Sequence, residues 1–431
     1  MLTHDASTRQ NARRRVVVTG IGVVSPAGIG KEAFWQAIRQ GRSCAGPIRT
    51  LEPRPGQRVH IAASVDGFSI NDYTDRKQAR FMERVSGFAY AAAQMAMEDA
   101  DLTLTPSDSE RAGTSIGTFA GPIRMARGEI ERIQTGGIHK MNALSCIIGS
   151  SGASFGNITV NFQLRGPGVT VYAAETAGMD ALGYAYRQIK YDEADVMIAG
   201  GSEAPILHSS LILFDGLGLL SRRNDQPERA CRPFDAGRDG FVLGEGAAIL
   251  VLEEMQHALR RGAHVYAELA GYAATCLPAN DLPAHDAPGD TSLAMRMALA
   301  DAALAPDCVE FIAAHGIGTQ AGDIRETLAI KQALGEHAYD VPVSSIKPIF
   351  GYTLGADGAL QAASCCLALG RGLLPPTINY SQPDPMCDLD YVPNQARAAS
   401  PAVILHNSLS VLGKCGALVY KRWREGDPAD G

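Results

Sequence analysis

Short runs of β-branched and apolar residues alternate along this chain with longer Ala-rich stretches of helical period. That is the pattern of an α/β protein whose strands are buried on both faces. The segment "RRVVVTGIGVVSP" reads as a strand entering a Gly/Pro turn, and "ADVMIAGGSEA" and "GAAILVLEE" read as strands with small residues at their ends. Phe81 to Ala100, rich in Ala, Met and Glu, predicts a helix. Around Glu310, "VEFIAAHGIGT" repeats the strand-then-glycine-turn theme of "ERAGTSIGT" near Arg111. The similarity is faint, but it suits two related halves, 14–252 and 253–424.

The stretch Cys276–Thr291, with three Pro and three Asp, predicts a surface loop, and Leu373–Pro385 predicts extended or turning chain. Gly426–Gly431 reads as a polar tail. No low-complexity linker is long enough to separate independent domains.

Composition narrows the class without naming the chemistry. The 431 residues suffice for two ordinary domains or one large continuous one, and 46% apolar with 20% charged residues is average for a soluble protein. A net charge of -7 argues against a nucleic-acid surface. The apolar runs around Ile198 and Leu250 are too short and too broken by glycine to span a bilayer. Met1–Arg15 lacks the apolar core of a secretory signal and reads as a lead-in. Nine cysteines occur without CxxC or Cys/His zinc spacing, so neither a metal nor a cofactor is expected. Cys365 and Cys366 sit in an apolar helical stretch and read as small buried hydrophobes. Reduced thiols and a cytoplasmic location are the default.

The chemistry concentrates in Gly166–Pro205. A β-branched run, Val169, Thr170 and Val171, stops at Ala173 and Ala174, and a helix follows from about Thr176 to Lys190. Met179, Leu182, Ala185, Tyr186 and Ile189 are spaced to give that helix one buried face. Glu175 falls at the junction, where free backbone N–H groups and the positive end of the helix dipole meet its side chain. Such elbows expose nucleophiles beside N–H groups that can hold an oxyanion. A helix-capping carboxylate is the plainer reading.

The chain resembles the β-ketoacyl-acyl-carrier-protein synthase family from Arg14 to about Tyr420. "VVVTGIGVVSPAGIG" matches that family's first strand and turn, and "LSRRNDQPERACRPFDAGRDGFVLGEGAAILVLEE" matches its central signature almost residue for residue. The resemblance implies a thiolase-like, five-layered αβαβα fold of two duplicated halves, and a dimer with active sites near its interface. It also implies acyl carrier protein as partner, presenting a phosphopantetheine-bound acyl chain. The family works with a cysteine and two histidines. Here its "TAC" elbow reads "AAE", which puts Glu175 in the cysteine position. His315 in "AAHGIGTQAGDIRE" is the first histidine, and Tyr352 replaces the second, because "GHTLGAAGA" reads "GYTLGADGA". Lys347 matches the family's lysine, Glu326 its partner carboxylate, and Asp323 is retained. The two pantetheine-contacting threonines fall at Ile317 and Thr319. The gating loop "NSFGFGG" reads "NSLSVLG", with Val411 in place of the gating phenylalanine.

These departures predict that the ordinary condensation fails at its first step. A carboxylate at a helix N-terminus is expected to have a lowered pKa, and an ionised Glu175 is a poor acyl acceptor whose charge opposes an enolate. Tyr352 can donate a hydrogen bond but shuttles protons less readily than histidine. Two readings of the retained polar residues stay open: a structural network with a buried Lys347–Glu326 pair, or a repurposed site. The first functional hypothesis is a non-condensing subunit like the chain length factors of type II polyketide and polyene systems, pairing with a Cys-His-His ketosynthase; a homodimer is the alternative. The second is a malonyl-carrier-protein decarboxylase, and the third an acyltransferase or cyclase using Glu175 as base. An interface is expected between Thr118 and Phe162, where Met125, Met141, Ile147, Ile148 and Phe155 cluster.

Overall fold

The computed structural model describes residues 14–276 and 289–424. The lead-in up to Arg13, most of the Cys276–Thr291 loop and the polar tail lie outside the described residues. Where the lead-in ends it is anchored: Arg14 pairs with Asp192 at 3.0 Å and with Asp195, and Arg15 pairs with Glu268 at 2.7 Å.

Among the described residues, an eleven-stranded sheet runs as two five-stranded sets, with the short strand Gly28–Ile29 folded back on the first strand. One set runs in the order Gly168–Val171, Ala112–Gly117, Val196–Glu203, Gly246–Glu254, Val16–Ser25. The other runs Val343–Ser344, Phe311–Ala313, Val403–Leu409, Lys414–Lys421, Ala267–Cys276. In each set the first three strands pair in parallel and the last two join antiparallel. The sets meet where Val16–Val18 pair antiparallel with Ala267–Leu269.

The period-2 alternation of each strand decides the layering. Val196 and Ile198 face one cluster with the Arg84–Asp99 helix, whereas Met197 and Ala199 face the opposite one. On the second set, Leu405 and Val419 face the outer cluster containing Ala298 and Ala329, while Ile404 and Tyr420 face inward. The inward faces enclose the helices Ala177–Lys190 and Asp357–Arg371, so the order is helices, sheet, helices, sheet, helices. The continuous apolar runs of the sequence follow from strands covered on both sides.

The predicted Phe81–Ala100 helix forms over Arg84–Asp99, and Cys365 and Cys366 are buried as expected. A helix begins at Gly289, so the predicted Cys276–Thr291 loop overruns its end. Among the described residues no helix is long and apolar enough to cross a membrane, and no group of His, Cys, Asp or Glu could hold a metal ion.

Candidate active site

The strand Gly168–Val171 ends before Ala174, whose φ of 52° lies in the left-handed region that residues with a Cβ seldom adopt. This turn aims the next residue, Glu175, into the middle helical layer at the start of the helix Ala177–Lys190. The approach is close on the far side as well. A Cβ on Gly178 would lie 2.7 Å from the Gly355 carbonyl oxygen, so the elbow helix sits directly on the 351–359 segment that carries Tyr352.

Glu175 is fully buried. Its Oε2 accepts a short hydrogen bond from Ser410 Oγ, and its Oε1 has no hydrogen-bond partner among the described residues. Burial is the largest influence and raises its pKa above the usual 4.5; the Ser410 hydroxyl and the backbone N–H groups of Glu175 and Val411 pull the other way. The expected lowering is therefore corrected. A helix terminus contributes about 1 kcal/mol to a carboxylate, less than the several kcal/mol lost when the charge leaves water.

His315 and Tyr352 come together edge to face, with ring centroids 5.4 Å apart and planes at 85°. Among the described residues, His315 Nδ1 and the Tyr352 hydroxyl are buried without hydrogen-bond partners. Desolvation, then the positive charge of Lys347, holds the His315 pKa well below its ordinary value, so its imidazole is neutral. Tyr352 is pushed upward by burial and then by the negative charge of Glu175. Its ring also meets Phe241 edge to face at 5.1 Å, within an apolar cluster that includes Ile317 and Leu354.

Lys347 does not form the expected pair with Glu326. Its Nζ lies 3.0 Å from Asp357 Oδ2 and donates to Gln361 Oε1 at 2.9 Å. Asp357 stands where the motif "GHTLGAAGA" has alanine, so this chain carries its own counter-ion for the lysine. Glu326 instead accepts from the backbone N–H of His315 at 2.6 Å and of Gly316 at 2.7 Å, and from Asn407 Nδ2 at 2.6 Å. It thereby fixes the turn that presents His315. Asp323, one helical turn earlier, holds the Phe234 and Gly318 N–H groups and faces Arg238 at 3.4 Å. Its complete burial brings its pKa to about 7.

Thr319 is half-buried at the start of the helix Gln320–Leu334, and Val411 is half-buried at the tip of the hairpin joining Val403–Leu409 to Lys414–Lys421. Ser410, Asp357 and Gln361 were not singled out from the sequence. The first two were visible as departures within segments already compared, but neither residue type indicates its partner, and Ser410 meets Glu175 from 235 positions away.

Two family models match, Beta-ketoacyl synthase, N-terminal domain, over residues 13–258, and Beta-ketoacyl synthase, C-terminal domain, over residues 266–381. The chain belongs to the β-ketoacyl synthase family. It is similar to the 3-oxoacyl-[acyl-carrier-protein] synthase 2 of Synechocystis sp., 39% identical over 96% of this chain and 99% of that protein. It is also similar to the tetracenomycin polyketide synthase ketoacyl synthase alpha subunit of Streptomyces glaucescens, 38% identical over 96% of this chain and 99% of that one. Among solved structures, the ishigamide ketosynthase/chain length factor superposes with a TM-score of 0.87 at 33% identity, covering 96% of this chain and 100% of that one. A type II PKS acyl-carrier protein in complex with its ketosynthase bound to the hexaketide gives a TM-score of 0.87 at 34% identity, covering 95% and 100%. The thiolase-like fold expected from the sequence is the fold of the β-ketoacyl synthase family.

Proposed function

We propose that this β-ketoacyl synthase relative is a non-condensing subunit, similar to a chain length factor, that partners a Cys-His-His ketosynthase in type II polyketide, polyene or fatty acid biosynthesis. One observation carries the reading: the elbow that presents the family's cysteine presents Glu175, buried and hydrogen-bonded to Ser410. A carboxylate in that position yields at best a reactive mixed anhydride where a thiolate yields a thioester. Tyr352 fills the place of the second histidine and packs against Phe241, and among the described residues its hydroxyl has no hydrogen-bond partner.

The surface supports partnership. Among the described residues, the strand Gly168–Val171 lies at the end of the sheet with a single neighbour, and an unpaired strand edge is a natural pairing surface. Beside it in sequence, Ile130, Ile138, Met141, Ile147, Val160 and Tyr172 are exposed large apolar side chains. A groove of about 630 Å³ lined by Phe81, Ile147, Phe155 and Val160 lies in the same region. Of the residues expected at an interface, Met141 and Ile147 are exposed, Met125 and Phe155 are half-buried, and Ile148 belongs to the interior. Acyl carrier protein, on this reading, delivers its acyl chain to the partner's thiol, and both proteins work in the cytoplasm.

A second reading, malonyl-carrier-protein decarboxylation, is favoured by the raised pKa of Glu175, because a protonated carboxyl can donate to an enolate oxygen. Co-expression with ketosynthases encoded beside it, followed by size-exclusion chromatography and native mass spectrometry, separates the two. A stable one-to-one heterodimer is expected. A homodimer that ignores those ketosynthases and releases CO₂ from malonyl-carrier protein would replace the first reading with the second.

A further inference from the structure

Two of the site's departures from the family motifs are bonded to each other, and a third is paired with the retained lysine. Where the family has cysteine this chain has Glu175, and where "NSFGFGG" has its first glycine the chain has Ser410; these two are joined by a short, buried hydrogen bond. Where the family has alanine the chain has Asp357, and it lies 3.0 Å from Lys347.

Glu175 belongs to the first half of the chain and Ser410 to the second, so their bond ties the hairpin tip to the elbow. The tip is tightly wound: Ser410 N–H donates to the Lys414 carbonyl at 2.8 Å, Gly413 N–H to the Ser410 carbonyl at 3.0 Å, and Leu412 N–H to Ser410 Oγ at 3.0 Å. A second tie lies on the same two elements. Lys414 Nζ reaches Asp180 Oδ2 at 2.7 Å in the first turns of the elbow helix. Asp180 also accepts from Thr176 Oγ1 at 2.7 Å and from the Tyr272 hydroxyl at 2.6 Å.

We propose that Ser410 is a positioning residue for Glu175 and that their hydrogen bond, backed by Lys414–Asp180, locks the Ser410–Gly413 tip shut over the elbow. The chain's own acyl position is closed from within, by two co-substituted residues from opposite halves. This goes beyond the partner-subunit reading and does not depend on it, because the lock is a property of the chain alone. A serine that merely satisfied a buried carboxyl would make the same bond, but would leave the elbow's opening unchanged when removed.

Hydrogen–deuterium exchange on the full chain tests it, following peptides over residues 407–415 and 172–180, with the Arg84–Asp99 helix as internal reference. Ser410→Ala and Glu175→Leu should each speed exchange at least tenfold in both segments while the reference holds its rate. Glu175→Gln keeps an acceptor oxygen and should stay within twofold of the parent. The double variant Glu175→Leu/Ser410→Ala should be no faster than the faster single, since both remove the same bond. Acceleration confined to the mutated segment, additive acceleration, loosening that extends to the reference helix, or a Gln variant as fast as the Leu variant would each overturn the lock.

Discussion

The Lys347 ammonium and the Asp357 carboxylate face each other at 3.0 Å, and both side chains are almost completely buried. Such a pair returns little net stability over an apolar core, yet breaking it strands a charge without solvent. Asp357→Ala is therefore expected to destabilise the fold by about 3–5 kcal/mol, and Lys347→Met/Asp357→Leu to recover most of that loss. Urea titrations followed by circular dichroism check both, and a double variant no better than the single would refute the pairing argument.

Tyr352 carries a buried hydroxyl without a hydrogen-bond partner among the described residues. An unsatisfied buried polar group costs about 1–3 kcal/mol, so Tyr352→Phe should leave stability unchanged or raise it by about 1 kcal/mol. A clear loss in thermal or urea denaturation would mean that the hydroxyl makes a contact needed for stability.

Glu175 has a folded-state pKa above 4.5, so the folded chain holds its proton more tightly than the unfolded chain does. The sign follows from linkage: this contribution to stability is fully present below pH 4.5 and is lost as pH rises through the folded value. Glu175→Gln has no such proton. The stability of the parent relative to Glu175→Gln should fall from about pH 4.5 as pH rises through the folded value and then level off, read as paired urea titrations across the pH range. A difference that instead grew with pH would place the group's pKa below its ordinary value.

The parent chain should show no mass change on incubation with acyl-loaded carrier protein, because its elbow offers a carboxyl in place of a thiol. Glu175→Cys should take up the acyl group while condensing at least 100-fold more slowly than a competent ketosynthase, since Tyr352 cannot act as the missing histidine. Intact-mass spectrometry and product assay measure the two steps. A stable adduct on the parent, or efficient condensation by the single variant, would contradict the non-condensing reading.

Much of the architecture was readable along the chain, because period and turn chemistry are local properties. The strands at Val16–Ser25, Val196–Glu203 and Gly246–Glu254, the elbow helix with its buried Met179, Leu182 and Ile189, and the position of Glu175 at its start all follow from residue order. The motifs also placed His315 and Tyr352, which the structure brings into ring contact.

Tertiary structure decided which groups are partners and which protonation states follow. The sequence assigns Glu175 a helix terminus and hence a lowered pKa, but only the packing of both halves reveals complete burial, which outweighs the dipole. It offers Lys347 two carboxylates, ten residues away at Asp357 and farther off at Glu326, and their geometry selects the nearer one. Ser410 and Glu175 lie 235 positions apart and meet where the elbow helix packs against the strand Lys414–Lys421. Local pattern specifies each element; desolvation and hydrogen-bond partnership belong to the assembled chain, because both depend on what surrounds a group in space.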